Sequence, residues 1–179
     1  MSAINDRSRA AELIARLDRL PVWPHSNWVL AVLAIGWFFA YFDIGNIAFA
    51  LPVAIKHFNI SPTVGASVIS AGLVGYIIGE VGVSLLSEWR GRRPALLVAT
   101  LLYAAGSLAT ALSTNAALFI AFRFISGAGI GAFIGVASAY VSEILPSQIR
   151  GKFAAWTTMP ALVGNGVVPF LALAILAIG

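Results

Sequence analysis

The 179-residue sequence has no cysteine and few charged residues, which make up 10% of it against about 25% in a soluble domain. Without cysteine there is neither a disulfide nor a thiolate metal site. His25 and His57 have no partner ligands at the spacing of a metal centre, so neither a metal nor a cofactor is expected. The sequence also lacks a phosphate-binding loop and a nucleophile–base pair, which predicts that the chain is not an enzyme.

Hydrophobic residues, by contrast, make up 60% of the chain, and the mean hydropathy is +0.93. They form long blocks of about 20 residues, the length that crosses a hydrocarbon core of about 30 Å. Backbone groups in lipid must be paired within their own segment, so each block is predicted to be a helix. The expected fold is an all-α, multi-pass transmembrane bundle with helices at roughly residues 27–51, 64–89, 94–112, 117–141 and 153–178.

Residues 1–26 precede the first block as a polar tail of mixed charge. Leu13, Ile14, Leu17 and Leu20 recur in this tail at helical spacing, with arginines on the other face. The pattern predicts a short amphipathic helix on the cytoplasmic surface of the membrane. A frayed tail is the alternative, because so short a helix is marginal on its own.

Basic residues predict the orientation of the chain in the membrane. They cluster in the tail and in the second and fourth connections, at Arg90, Arg92, Arg93, Arg150 and Lys152. The positive-inside rule therefore places these segments and the N-terminus in the cytoplasm, with the chain in the inner (plasma) membrane. A pI near 10.0 then indicates contact with anionic lipid headgroups and not with nucleic acid.

Glycines recur along two of the predicted helices. On the second helix they are Gly72, Gly75, Gly79 and Gly82; on the fourth they are Gly127, Gly131 and Gly135. Small residues at this spacing let helix backbones approach closely, so both stripes are predicted to be helix-packing faces. Phosphate binding is disfavoured, because these glycines lie inside membrane spans.

The second connection contains a recognisable motif. Gly91, Arg92 and Arg93 match the second half of the pattern G-x-L-x-D-R-x-G-R-[RK], with Glu88 in place of the aspartate. Ser84 stands where that pattern has its first glycine. This segment resembles the signature between helices two and three of the major facilitator superfamily.

Three further segments strengthen the resemblance. Residues 123–131 fit R-x-x-x-G-x-G-x-G, and residues 143–151 fit E-x-x-P-x-x-x-R-G. Residues 42–45 are similar to the aspartate-containing first-helix segment of sugar porters and related metabolite:proton symporters. The resemblance covers nearly all of residues 27–179 and implies five of the first six helices of a carrier built from two six-helix halves.

The resemblance implies transport of a small solute, a sugar or an organic-acid-like metabolite, by proton-coupled symport with alternating access. The partners implied are the substrate, protons, the lipid bilayer and the missing C-terminal half of the carrier. The alternative is a small non-transporting membrane protein that associates with a partner through its glycine-rich helix faces.

Three charged residues, Asp43, Glu80 and Arg123, lie deepest within predicted spans, where a charge costs at least about 2.5–3.5 kcal/mol. Asp43 lies roughly 24 Å from the cytoplasmic edge, and Arg123 roughly 10 Å from the outer edge, at about 1.5 Å per residue. Both therefore fall in the outer third of the membrane, and we expect them to pair. Proton-linked sugar porters use a similar acid and arginine, which implies a proton-coupling role; a static ion pair is the alternative.

Other polar residues are assigned more loosely. Glu80 is expected to line the cavity or to act as a structural acid, and Asn165 to contact substrate or to bond a neighbouring helix. The resemblance also implies a charge network that closes the cytoplasmic side, made of Glu88, Arg92, Arg93, Glu143 and Arg150. These residues could instead serve as orientation signals and headgroup contacts.

Overall fold

The computed structural model describes residues 12, 15, 27–145 and 147–178, and within these it contains helices and no strand. The helices are α1 (Asn27–Phe58), α2 (Pro62–Arg90), α3 (Arg92–Ala111), α4 (Ala116–Ile144) and α5 (Ser147–Ile178). The predicted all-α bundle is confirmed. Of the predicted tail helix only Glu12 and Ala15 are described, both as helical, and the rest of residues 1–26 lies outside the described part.

Four helices are long and apolar enough to cross a membrane: Trp28–Phe58, Pro62–Arg90, Arg92–Ala111 and Ala116–Ile144. The chain is therefore a multi-pass membrane protein. These four spans belong to the described residues, and α5 is not among them. A fifth crossing stays a prediction, supported by the lack of any charged residue between 153 and 178.

The observed helices extend past the predicted hydrophobic blocks at one or both ends. The helix α1 continues through Pro52 to Phe58, although the hydrophobic block was expected to end at residue 51. The hydroxyl of Ser61 accepts a hydrogen bond from the backbone N–H of Val64 at 3.3 Å and so starts α2 at Pro62. Capping groups and turns, not the loss of hydrophobicity, therefore set these helix ends.

Gly91 alone separates α2 from α3. Its φ of 92° lies in the region that favours glycine, because other residues meet a steric clash there. Its backbone N–H bonds to the carbonyl of Ser87 and closes the last turn of α2. The chain can thus reverse within one residue and bring Arg92 to the start of the next helix.

The helices pack in two groups. In one group, α4 lies between α2 and α3 and contacts both extensively, and half of its span is buried, against 17–22% for the other spans. In the other group, α1 packs mainly against α5. Close backbone contacts between the two groups are few, but a hydrophobic core joins them, with Trp37 of α1 packed edge-on against Phe133 of α4. The outer surface is apolar, with side chains such as Leu97, Leu101 and Leu162 more than half exposed, as expected where lipid surrounds the bundle.

The backbones of α2 and α4 approach closely along the glycine stripes. A β-carbon added at Gly75 would collide with the carbonyl group of Phe124, and one added at Gly79 would collide with the backbone of α4. The fit is reciprocal, since a β-carbon at Gly127 or Gly131 would collide with carbonyl groups of α2. The two stripes therefore form a single interface within the chain.

The remaining stripe positions differ among themselves. At Gly82 a β-carbon would meet nothing within 4 Å, so this glycine takes no part in the close approach. At Gly72 the nearest atom is 3.8 Å away, an ordinary contact, whereas Gly135 is covered by the side chain of Glu80. On α2, the glycines where a β-carbon would collide with α4 are therefore Gly75 and Gly79, fewer than the spacing predicted.

Candidate functional site

A buried ion pair joins α1 to α4. The Nη1 atom of Arg123 donates to Oδ2 of Asp43 at 2.9 Å, and the two side chains are only 10% and 13% exposed. The structure thus brings together the two residues that the depth estimate placed in the same third of the membrane. An opposite charge at contact distance offsets part of the cost of removing each ion from water.

The second oxygen of the Asp43 carboxylate is also bound. The hydroxyl of Ser107 on α3 donates to Oδ1 at 3.0 Å, so the carboxylate joins α1 to both α3 and α4. The sequence analysis missed Ser107, because a serine in an apolar helix carries no motif. Its depth agrees with the contact, since Ser107 is about 15 residues beyond Arg92 and Asp43 is about 16 beyond Asn27, at a similar rise per helix.

A cavity of about 330 Å³ lies beside the ion pair, between α1, α2 and α4. Its walls are mostly apolar, and its polar side chains are those of Asp43, Tyr76, Arg123 and Ser126. Among the described residues, the Nε–H group of Arg123 is buried and finds no hydrogen-bond acceptor. The Nε–H group is thus an unpaired buried donor, whereas Nη1 of the same guanidinium holds Asp43.

The two other predicted cavity residues lie elsewhere. Glu80 packs its Cγ 3.1 Å from the β-carbon position of Gly135, and in the described part of the chain it makes no ion pair. Asn165 is exposed on α5, with its Oδ1 atom 2.5 Å from the β-carbon position of Gly45 on α1. Neither residue lines the cavity beside Asp43.

A second polar cluster lies where α2 ends, α3 begins and α4 ends. Arg92 donates two hydrogen bonds to the carboxylate of Glu143, one from Nε to Oε2 at 3.0 Å and the other from Nη2 to Oε1. Its third nitrogen, Nη1, donates to the buried hydroxyl of Ser87 at 2.6 Å. Bidentate arginine–carboxylate pairs combine charge with fixed geometry, so this cluster ties three helices together.

The structure brings only part of the predicted charge network together. Glu88 and Arg93 are exposed, and neither makes an ion pair within the residues described. The side chain of Arg150 lies outside the described part. The network thus centres on Arg92 and Glu143, with Ser87 as a member that the sequence analysis did not identify.

Neither polar cluster resembles a metal centre. In the described ranges no group of three or more potential ligands lies close enough together to hold a metal ion. His57 is exposed near the end of α1 and packs edge-on against Phe58, and His25 lies outside the described residues.

The described residues thus form five long helices with an ion pair buried between the first and the fourth, and they define a multi-pass membrane protein. The family model described as sugar (and other) transporter matches residues 29–178. The chain therefore belongs to the sugar (and other) transporter family, and the predicted resemblance to the sugar porters of the major facilitator superfamily is confirmed. Members of this family are membrane transporters, which confirms the prediction that the chain is not an enzyme.

Curated relatives agree with the family model. The chain is 32% identical to the niacin transporter of Acinetobacter baylyi over 142 residues, which cover 79% of this chain and 32% of the relative. It is 36% identical to the galactose-proton symporter of Escherichia coli K12 over 122 residues, covering 68% of this chain and 26% of the relative. It is 31% identical to the gentisate transporter of Corynebacterium glutamicum over 152 residues, which cover 82% of this chain and 34% of the relative. The chain thus spans between 26% and 34% of the length of these three relatives.

Proposed function

We propose that this chain forms the amino-terminal part of a carrier that moves a small solute, a sugar or an organic-acid-like metabolite, across the inner membrane. Family membership supports this proposal, as do relatives named for the transport of niacin, galactose and gentisate. The transport mode proposed is proton-coupled symport by alternating access, and one relative is itself named a proton symporter. The remainder of the carrier would supply the opposite wall of the substrate path.

The observation that carries the proposal is the buried ion pair of Asp43 and Arg123 beside the cavity. Charges at this depth in a membrane are costly. An acid and a base that are nevertheless present there indicate a function. Protonation of Asp43 would remove its charge and weaken the bond to Arg123. Because the pair joins the α1–α5 group to the α2–α3–α4 group, its release would loosen the contact between these groups. Proton uptake would then be coupled to helix movement.

The cluster around Arg92 is proposed to hold the cytoplasmic side closed in one state of the carrier. The orientation behind this assignment rests on the arginines of the tail and of the second and fourth connections. With the N-terminus in the cytoplasm, Arg92 and Glu143 lie at the cytoplasmic ends of α3 and α4. Their hydrogen bonds are partly exposed to water, with side chains 25% and 50% exposed, so opening the cluster costs little.

The alternative of a non-transporting protein that binds a partner through its glycine faces is less well supported. The close contacts at Gly75, Gly79, Gly127 and Gly131 are already made within the chain, between α2 and α4. Those faces are therefore not available to a partner.

Uptake by the full-length carrier tests the proposal. Niacin, galactose and gentisate are the first solutes to offer, each with and without an imposed pH gradient. In Asp43→Asn, which keeps the size of the side chain but cannot be ionised, we expect uptake to lose its response to the gradient. Lys56→Gln is the control, because it removes one charge from an exposed side chain that makes no ion pair among the described residues. Gradient-driven uptake that persists in Asp43→Asn would show that this residue does not couple protons.

A further inference from the structure

We infer that Phe133 of α4 is a positioning residue, whose ring sits at Gly36 of α1 and so places Asp43 within reach of both its hydrogen-bond donors. The consequence for transport rests on the proposed function given above. The positioning itself does not, because both residues and the contact between them belong to this chain.

The tip of the Phe133 ring occupies the space that a side chain at Gly36 would need. A β-carbon added at Gly36 would collide with Cζ of the ring, and would lie 2.8 Å from Cε2 and 3.0 Å from Cε1. Carbon atoms in contact pack at about 3.5–4.0 Å, so no β-carbon fits there. The glycine therefore provides a seat on the surface of α1, and the ring fills it.

Neighbouring aromatic side chains hold the ring in this seat. Phe133 is only 4% exposed. Trp37 of α1 packs edge-on against it at a centroid separation of 6.4 Å, and Tyr103 of α3 does so at 6.3 Å. Edge-to-face pairs at such distances add an attraction to the area that they bury. Because side chains of α1 and α3 enclose the ring, it cannot turn aside to admit a larger residue at Gly36.

The seat lies two helical turns from Asp43 on the same face of α1. Seven residues, a rise of about 10 Å, separate Gly36 from Asp43. On α4, which runs in the opposite direction, ten residues, or about 15 Å, separate Arg123 from Phe133. The side chain of Arg123 spans the difference of about 5 Å to reach the carboxylate. Two contacts at separate heights therefore hold α1 on α4, the ring at Gly36 and the ion pair at Asp43.

Of these two contacts, the ring is the one that determines where α1 lies. Arg123 has a long side chain with several rotatable bonds, so it can follow Asp43 if α1 moves a small distance. Ser107 has a short side chain, and its hydroxyl must stay within hydrogen-bond distance of the other carboxylate oxygen, which is 3.0 Å away. Both hydrogen bonds to the carboxylate therefore exist together only while α1 keeps the position that the seated ring gives it.

The seat also preserves this geometry while the ion pair is broken. If protonation of Asp43 releases Arg123, as the proposed function requires, the contact at Gly36 is unaffected because it carries no charge. The ring would hold α1 at the same height on α4, and the carboxylate would meet its two donors again once the proton leaves. A larger movement of α1 along α4 has first to displace the ring.

Unfolding of the 179-residue chain in mixed micelles tests the inference through a double-mutant cycle. The cycle combines Asp43→Asn with Arg123→Gln. The interaction between the two residues is the amount by which the midpoint shift of the double variant falls short of the sum of the single shifts. It is measured in the wild type and in three backgrounds: Phe133→Leu, Gly36→Ala and the two combined. Leucine lacks the ring atoms Cε1, Cε2 and Cζ, which are those that a β-carbon at Gly36 would meet.

We expect the interaction to fall by about half or more in Phe133→Leu, which empties the seat, and in Gly36→Ala, which overfills it. The combined variant refills the seat with a methyl group and should recover most of the interaction, a rescue that a general loss of stability would not give. Gly82→Ala is the matched control, since nothing lies within 4 Å of its β-carbon position, and it should leave the interaction unchanged.

An interaction of equal size in all backgrounds would overturn the inference, and so would a combined variant that recovers nothing relative to Phe133→Leu. If Gly36→Ala does not fold, the comparison of Phe133→Leu with the combined variant still decides the matter.

Uptake by the full-length carrier then separates this inference from the proposed function. Recovery of the ion-pair interaction in the combined variant, together with uptake that no background alters, would keep Phe133 as a positioning residue and reject the coupling role of the pair. Loss of uptake in Gly36→Ala, with an unchanged interaction between Asp43 and Arg123, would reject the positioning role and leave the proposed function intact.

Discussion

One added methyl group on α2 should destabilise the bundle at Gly79 and should be harmless at Gly82. At Gly79 the atoms that a β-carbon would strike are the carbonyl oxygen, carbonyl carbon and Cα of Ala128. All three belong to the backbone, so no side chain can rotate away, and α2 and α4 would have to separate. Overpacking of this kind costs about 1–3 kcal/mol. At Gly82 nothing lies within 4 Å, and alanine is the better helix former by up to about 1 kcal/mol.

The assay is reversible unfolding of the chain in mixed micelles, with an increasing fraction of a denaturing detergent and helix content followed by circular dichroism. Gly79→Ala is expected to unfold at a lower detergent fraction than the wild type, and Gly82→Ala at the same or a higher one. The two substitutions are chemically identical and lie on the same helix, so general effects of alanine cancel. Equal midpoints for the two variants would refute the argument that backbone contact at Gly79 holds α2 to α4.

Three further changes test the polar contacts. Ser107→Ala removes one hydrogen bond to the carboxylate of Asp43 and should destabilise the bundle by about 1.5–3 kcal/mol in the same unfolding assay; an unchanged midpoint would mean that this hydroxyl does not help to hold the carboxylate. Arg92→Glu should lower uptake by placing two acids together, and the double variant with Glu143→Arg should restore much of it, whereas a double variant as inactive as the single one would count against the ion pair. Glu80→Gln should change the free energy of unfolding by less than about 0.5 kcal/mol and should leave uptake close to that of the wild type, because Glu80 makes no ion pair among the described residues. A large loss of gradient-driven uptake would instead show that Glu80 carries protons.

Hydrophobic block length was sufficient to predict the helices, because lipid leaves few other ways to satisfy the backbone. It could not predict their ends. The start of α2 depends on the cap at Ser61, and α1 passes through Pro52, a residue that the rules for soluble helices treat as a helix end. These ends depend on local hydrogen bonds that a count of apolar residues does not contain.

The part of the candidate site that could be predicted from the sequence is the part that depends on depth in the membrane alone. Asp43 and Arg123 are charged residues at similar depths, and the structure places them in contact. Depth does not give the rotation of a helix about its axis, however. Glu80 faces Gly135 and not the cavity, and Glu88 and Arg93 are exposed and make no ion pair among the described residues. Rotation is set by side-chain packing between particular helices, which one sequence does not report.

The division of the helices into two groups has a mechanical consequence. Backbone contacts through glycine lock α2 to α4, and α1 and α5 pack closely at Gly164, whose β-carbon position is 2.6 Å from the carbonyl oxygen of Phe38. Between the groups lies a seam with few backbone contacts, crossed by the hydrogen bonds of Asp43 and by side-chain packing such as that of Trp37 against Phe133. Sliding along this seam would disturb neither set of backbone contacts. A disulfide engineered within either group should therefore leave such sliding intact, whereas one engineered between α1 and α4 should stop it.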